Sequence, residues 1–410
     1  MKAITFAAPI PRYLVTRAVG RVADALYAGP HACTRYGEIA APALPGERWV
    51  RLRTRMGGIC GSDLGIVTLQ ASPATSPFSS FPFVLGHESV ADVAEVGAGV
   101  RGFTPGDRVT VNPLLCCEAR EIAPACPACA TGHHQHCVHF TDGALPPGML
   151  IGTARSLGGS WGEGFVAHQS QLVRVPDSMS DAEAVLAEPL ACAVHAVRAN
   201  LPRRDERVLV IGAGSIGLLT VAALRALGVA SPVTVLARHP FQGRHAERLG
   251  ASRVILARGE YLRELADAAG ARLLKAIIGS PAAVGGFDHS YVCVANARGV
   301  DDALRLTRAG GTVVVLGSPT TVRGVDWTPI WLKELRLRGS LTYGAHADGA
   351  ARRNAFDEAV SLIAGGQAPV GSLVTHVFPL EEYRKAFAAA LGKRSAESVK
   401  VAFQFTTPRA

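Results

Sequence analysis

The sequence predicts an α/β protein made of a small all-β barrel and an open, doubly wound parallel sheet. Three observations carry that expectation. Short β-branched runs separated by Gly and Pro fill residues 49–111, the spacing of a barrel. The apolar run Arg207-Val208-Leu209-Val210-Ile211 leads straight into Gly212-Ala213-Gly214-Ser215-Ile216-Gly217 and then a helical stretch, a strand-turn-helix built around glycines. From there to about residue 317, strand-like and helix-like segments alternate, as in a parallel sheet covered by helices. A chain of 410 residues has room for both parts as separate domains.

Bulk composition narrows the function classes. Charged residues are 18% and hydrophobic residues 48%, which disfavours disorder. The net charge of +9 comes from scattered basic residues without an aromatic-interleaved stripe, so it reads as a diffuse positive surface. No nucleic-acid or membrane partner is expected, whereas an anionic dinucleotide would benefit from the field. The opening Met1-Lys2-Ala3-Ile4-Thr5-Phe6 does not resemble a signal segment, and no run reaches the ~18 apolar residues of a membrane helix. The expectation is a soluble, cytoplasmic chain. Nine cysteines, five of them between Cys116 and Cys137, read as metal ligands before disulfides.

Taken in order, residues 1–48 begin with a strand-like run and continue irregularly. Cys33 has no ligand-type neighbour and is expected to be a buried apolar residue. Strands are expected at Trp49–Arg53, Val90–Gly97 and Asp107–Val111. Cys60 and the His87-Glu88 pair fall at the loops between them, where functional groups are displayed, and are ligand types that zinc takes. The Ser62 hydroxyl, two residues from the thiol, is placed to pass a proton. Residues 112–143 form a cysteine-rich lobe. Cys126, Cys129 and Cys137, with a fourth thiolate from Cys116 or Cys117, suit a closed tetrahedral zinc site that supplies folding energy to a loop too polar for its own core. His133, His134, His136 and His139 are read as solvated loop residues. Asp177–Asn200 reads as a helix capped by Ser180 and Glu183. Pro189 should break or kink it, leaving Glu188 at an irregular point facing a cavity.

In the second half, Gly212, Gly214 and Gly217 permit a tight turn, a close pyrophosphate and close helix packing, with Ser215 and Ile216 at the helix start. The next strand, Pro232–Ala237, ends in Ala237-Arg238-His239 without an acidic residue, and Arg244 lies close behind. A carboxylate there would hold the ribose of NAD and repel a 2′-phosphate, so NADP is preferred over NAD. The alternative is that Arg238 stacks on adenine and both cofactors bind. Further strand-like runs lie at 253–256, 274–278, 289–294 and 311–317, and helix-like runs at 352–363 and 380–391.

In their order, Gly58-Ile59-Cys60-Gly61-Ser62-Asp63, Gly86-His87-Glu88, the cysteine lobe, Glu188-Pro189-Leu190 and Gly212–Gly217 resemble the zinc-containing medium-chain alcohol dehydrogenases. The resemblance covers nearly the whole chain. It is closest to the threonine, sorbitol and glucose dehydrogenase branch, which has Glu-Pro-Leu where liver-type enzymes have cysteine. It implies a GroES-like β-barrel catalytic domain over 1–191, with a structural zinc lobe at about 112–143. A Rossmann NAD(P)-binding domain follows over 192–345, and 346–410 return to the catalytic domain. It implies Cys60 and His87 as catalytic zinc ligands. Glu88 matches a carboxylate that coordinates directly in some members and transiently in others, and Glu188 the third ligand or a group holding the metal's water. Asp63 matches the carboxylate on the zinc histidine, Ser62 the proton relay, and Leu316-Gly317-Ser318 with Tyr343-Gly344 the lining of the nicotinamide.

Some positions depart from the family. The first cysteine of the usual lobe pattern would fall on Ala123, and a longer upstream loop favours Cys117 over Cys116, with loss of the site as the alternative. Ala91 replaces a usual glycine, and the stretch before Cys60 is longer by one or two elements. The implied activity is hydride transfer between an alcohol, in a polyol, sugar or hydroxy-amino acid, and NAD(P), in a homodimer or homotetramer. The alternative is a non-catalytic dinucleotide-binding member with a structural or regulatory role.

Overall fold

The computed structural model describes residues 1–348 and 351–405, so the expected C-terminal part, 346–410, lies partly outside the described residues. Two compact units are present. One comprises Met1–Glu188, Ala347–Ala364 and Gly371–Ala410, and the other Pro189–His346 and Gly365–Val370.

The first unit is organised on the ten-residue strand Trp49–Gly58. It pairs antiparallel with Ser89–Val96, with Gly164–His168 and with Lys400–Gln404. Arg108–Val111 and Leu172–Arg174 extend the sheet on one side, and Val374–Pro379 runs parallel to Lys400–Gln404 on the other. Trp49, Val50, Leu52, Ala91, Val93, Val109, Val111 and Phe165 are buried together in one core cluster. Each large apolar side chain there contributes roughly 1.5–3 kcal/mol by leaving water. Ala91 is wholly buried among them, its methyl accommodated as core.

The stretch before the central strand is structured. Lys2–Phe6 and Thr34–Glu38 pair antiparallel, and between them come the helix Ile10–Gly20 and the turn Asp24–Ala28. Cys33 is buried, its N–H donating to Thr16 Oγ1 at 3.1 Å, in keeping with its expected packing role.

The second unit holds six parallel strands. Arg253–Leu256, Val233–Ala237 and Val208–Ile211 lie in reverse chain order, followed by Phe287–Val292, Thr307–Val315 and Arg336–Gly339 in forward order. The order reverses between Val208–Ile211 and Phe287–Val292. In doubly wound sheets the crevice at such a reversal receives the ligand.

Four expectations need correction. Residues 275–278 are not a strand: Arg272–Leu274 forms a separate antiparallel hairpin with Ala282–Val284, and Ile277 and Ile278 are 102% and 91% exposed. Their apolar character marks a surface patch instead of a core strand. Residues 352–354 belong to the strand Ala351–Asn354, and the helix begins at Ala355. The helix expected over 177–200 is two helices, Asp181–Ala184 and Ala187–Arg198. Ser180 and Glu183 do cap the first reciprocally. The break expected of Pro189 is present at Val185–Leu186, where its ring excludes the carbonyl four residues back, but Pro189 itself sits in the first turn of the second helix, so Glu188 is helical and not at an irregular point.

Candidate functional site

Cys60 is the N-cap of the helix Gly61–Val67, three residues past the end of the central strand's pairing with Ser89–Val96. Its N–H donates to Asp63 Oδ2 at 3.1 Å. The other oxygen of the same carboxylate, Oδ1, lies 3.2 Å from Nδ1 of His87. A carboxylate can only accept, so the histidine proton is on Nδ1 and Nε2 is left to meet a cation. Asp63 is 1% exposed. Burial works against charge on His87, but the Asp63 charge and hydrogen bond, with Cys60 beside them, hold its pKa well above the ordinary value. A metal ion entering here must displace the second proton, which the charged ring carries on Nε2, while the Nδ1 proton stays on Asp63.

One ligand atom each from Cys60, His87 and Glu88 lies within 4.8 Å of the others. The donor set, one thiol, one imidazole and one carboxylate around a common point, fits a zinc ion. Glu88 is engaged from behind. Lys400, 2% exposed, donates to both its oxygens at 2.6 and 2.7 Å, and to Ile59 O at 3.3 Å, which uses all three ammonium protons. Burial opposes the lysine's charge, yet the Glu88 carboxylate, then Cys60, with Glu188 also contributing, raise its pKa. Gly58 makes the approach possible: a Cβ there would stand 2.0 Å from Glu88 Oε2.

Glu188 is buried and within electrostatic reach of Lys400, but it is not one of the three residues whose ligand atoms lie together. Ser62 is exposed in the first helical turn. Sequence reasoning missed Lys400. Its partner stands 312 positions away, and a lone lysine near the chain's end carries no local signal.

The lobe gathers Cys117, Cys126, Cys129 and Cys137, with ligand atoms within 4.8 Å of one another. Cys117 Sγ and Cys137 Sγ are 3.7 Å apart, far beyond a disulfide and close to the ~3.8 Å edge of a tetrahedron with ligands at about 2.3 Å. Backbone N–H groups of Cys126 and His139 donate to Cys117 Sγ and Cys137 Sγ, each at 3.4 Å, which partly offsets the burial that pushes both thiols up. Four thiolates in this arrangement fit a zinc ion. The chain brings Cys117, not Cys116, into the group, and none of the four lobe histidines is in it. His139 instead lies 2.7 Å from the Asp142 carboxylate.

In the second unit, Gly212 follows its strand with φ 97°, a left-handed conformation that favours glycine. Gly214 is the N-cap of the helix Ser215–Ala226, so Ser215, Ile216 and Gly217 form its first turn. A Cβ on Gly217 would stand 1.8 Å from Gly212 O, so the turn closes only with glycine there. Leu316 and Gly317 donate to Val292 O at 2.9 Å, Gly317 packs on Val294, and Gly212 meets the same valine. The 212–217 and 316–318 loops thus converge at the carboxyl ends of the two strands that flank Phe287–Val292. Ser318 there has φ 52° and is exposed. The strand Val233–Ala237 ends in exposed Arg238, and Arg244 on the following helix is exposed too.

Tyr343 is wholly buried, and Gly344 N–H donates to Nδ1 of His195 at 3.3 Å. His346 Nε2 lies 3.0 Å from that same Nδ1. Because Nδ1 accepts from Gly344, His346 is the donor in this pair. The two histidines, 151 positions apart, were not legible as partners in the sequence.

Residues 46–177 match the family model of the alcohol dehydrogenase GroES-like domain, and residues 215–365 that of the zinc-binding dehydrogenases. The chain is 29% identical over 356 residues to an L-idonate 5-dehydrogenase of Vitis vinifera, covering 86% of this chain and 87% of that one. It is equally 29% identical over 361 residues to an L-threonine 3-dehydrogenase of Anaeromyxobacter sp. (strain Fw109-5), covering 87% and 92%. Among solved structures it is similar to a Sinorhizobium meliloti 1021 protein described as a zinc-binding dehydrogenase and bound to NADP. The TM-score is 0.69 and the identity 26%, over 91% of this chain and 95% of that one.

Proposed function

The chain belongs to the zinc-containing medium-chain dehydrogenases, a family of oxidoreductases acting on alcohols, and we propose that Cys60 and His87 are the protein ligands of its catalytic zinc. The observation that carries this assignment is the single Asp63 carboxylate that fixes both the Cys60 backbone and the His87 ring. Glu88 is the near carboxylate, restrained by Lys400, and Glu188 the outer one. A zinc ion held there supplies Lewis-acid polarisation of the substrate hydroxyl, and the nicotinamide supplies the hydride chemistry.

The chain's own residues do the rest. Asp63 keeps Nε2 of His87 directed at the cation. Lys400 prevents Glu88 from being a buried, uncompensated charge. Ser62, exposed beside the thiol, carries the alcohol's proton outward. Gly212, Gly214, Ser215, Ile216 and Gly217 receive the pyrophosphate, with Leu316, Gly317 and Ser318 beside the nicotinamide. Arg238, assisted by Arg244, receives a 2′-phosphate, so NADP is the preferred cofactor. The absence of any acidic residue from Ala237 to His239 supports this, as does the NADP bound in the Sinorhizobium relative.

The four-cysteine lobe is proposed to hold a second, structural zinc through Cys117, Cys126, Cys129 and Cys137. Polyols, sugars and hydroxy-amino acids are the proposed substrates, from the printed activities of the relatives. A homodimer or homotetramer is proposed on the exposed edge strand Arg336–Gly339, flanked by Trp331 and Leu332 at 71% and 64% exposure. No helix among the described residues is long and apolar enough to cross a membrane. The gathering of four cysteine thiols as a metal-ligand group instead of in disulfides supports a cytoplasmic location.

The test is a panel of polyols, sugars, threonine and simple alcohols with NAD and with NADP, followed at the nicotinamide absorbance. Metal analysis should give two zinc ions per chain. Turnover that requires zinc and survives only with Cys60 intact supports the reading. Full activity in Cys60→Ala overturns it, and no turnover across the panel favours a non-catalytic dinucleotide-binding protein.

A further inference from the structure

Arg120 lies in the lobe and is wholly buried. All of its guanidinium hydrogen bonds go to backbone carbonyls. Nε donates to Leu115 O at 2.9 Å, Nη1 to Asp142 O and Leu145 O at 2.7 and 3.2 Å, and Nη2 to Pro146 O and Gly148 O at 3.1 and 2.6 Å. The five N–H donors of the fork are therefore all satisfied. They tie the segment that presents Cys117 to the segment that returns after Cys137. Arg120 O also accepts from Ala144 N–H at 3.2 Å, closing the same two segments from the main chain.

No carboxylate of the described residues forms an ion pair with this guanidinium, and the nearest one, Asp142, is exposed and pairs with His139, so no buried counter-charge faces it. A buried cation without a buried counter-charge is costly. The groups within electrostatic reach that can carry negative charge are Cys137, Asp142, Cys116 and Cys117, and two of these belong to the four-cysteine group. Four thiolates around one divalent cation carry a net charge of about −2 by the ligand chemistry of such sites. A loaded lobe is therefore the counter-ion that Arg120 lacks.

We propose that Arg120 is a positioning residue of the four-cysteine site, both its internal counter-charge and the brace that sets the spacing of Cys117 and Cys137. This rests on reading the lobe as a metal site. It revises the expectation that metal alone organises the loop, because the guanidinium links both segments through its own hydrogen bonds. Loss of the guanidinium should weaken metal binding by about 10–100-fold, the usual effect of removing a group that supports metal ligands.

The test uses the full-length zinc-loaded protein and measures zinc release to a chromogenic chelator, with limited proteolysis of residues 112–143 before and after chelation. Cys117→Ser is the reference for the site, Arg120→Met removes charge and fork, and Arg120→Lys keeps the charge but cannot make five hydrogen bonds. The expected order of zinc release is wild type slowest, then Arg120→Lys, then Arg120→Met. Should Arg120→Met not accumulate, release from Arg120→Lys at the wild-type rate overturns the proposal. Equal loss in both variants, with the lobe cleaved even when loaded, overturns the counter-charge and leaves only a brace. Zinc content unchanged by Cys117→Ser overturns the metal reading itself. One zinc lost in Cys117→Ser, with unaltered release from Arg120→Met, overturns only the role given to Arg120.

Discussion

Lys400 and Glu88 form a buried ion pair across 312 positions of sequence, with the ammonium 2.6 and 2.7 Å from the two carboxylate oxygens. Both side chains are almost completely withdrawn from solvent. Removing one partner leaves the other as an uncompensated buried charge, which costs about 3–5 kcal/mol. Lys400→Met should lower the stability of the first unit by that amount in urea unfolding. Glu88→Gln combined with Lys400→Met should recover most of the loss. If the double variant is no more stable than the single one, the pair is not the source of the cost.

Asp63 uses each oxygen for a different partner, Cys60 N–H and His87 Nδ1. Asparagine offers one acceptor in place of two, so Asp63→Asn must abandon one of them. Zinc affinity at the Cys60–His87 site should fall about 10–100-fold, read by chelator competition on protein whose lobe site is unchanged. Wild-type affinity in this variant would mean that the carboxylate does not position the ligands.

Cofactor choice is testable at the end of the second parallel strand. Ala237→Asp puts a carboxylate where a 2′-phosphate would lie, and Arg238→Ala removes the opposing charge. The double variant should reverse the ratio of kcat/KM for NADP over NAD by at least about tenfold, equivalent to ~1.4 kcal/mol. A ratio that does not move would show that these residues do not face the ribose.

The Tyr261–Asp302 contact sets a pH dependence. Burial pushes the Asp302 carboxyl up to about 6, against the downward pull of the Tyr261 hydrogen bond and Arg298. The ordinary value is 3.8, so the folded pKa is the higher one. The neutral form then favours the fold fully below pH 3.8, and that stabilisation is lost as pH rises through about 6. Asp302→Asn removes the titration while keeping an acceptor for Tyr261. Its stability relative to wild type should improve by on the order of 2–3 kcal/mol between pH 3.5 and pH 7. A constant difference across that range contradicts the shift.

Self-association through the exposed edge strand predicts that Leu337→Lys with Trp331→Glu yields a smaller species. Leu337 is 42% exposed and Trp331 71% exposed, so neither change disturbs a core. Light scattering coupled to size-exclusion chromatography reads the result, and an unchanged mass places the contact elsewhere.

What the sequence made legible was local. Cys60, Asp63 and His87 are close along the chain, and the glycines of 212–217 report their own backbone needs, so residue type and spacing carried the information. Lys400, Arg120 and the His195–His346 pair act through tertiary partners that no nearby pattern announces. Apolar composition misled at Ile277 and Ile278, because a surface patch and a core strand use the same residues. Pro189 announced a helix break but not its place: the break falls at Val185–Leu186, by the carbonyl four residues back, which leaves Glu188 inside the second helix.

The first unit is discontinuous, and its central strand Trp49–Gly58 has the late strand Lys400–Gln404 as a neighbour. On the ribosome, therefore, Cys60, His87 and Glu88 emerge long before Lys400 does. The parallel sheet, drawn from an almost unbroken stretch, can complete its strands while the Glu88 carboxylate still has no ammonium partner. Synthesis order thus imposes an assembly order, in which the neutralising lysine is fitted after the parallel sheet, and an arrested chain ending before residue 400 leaves Glu88 without its partner.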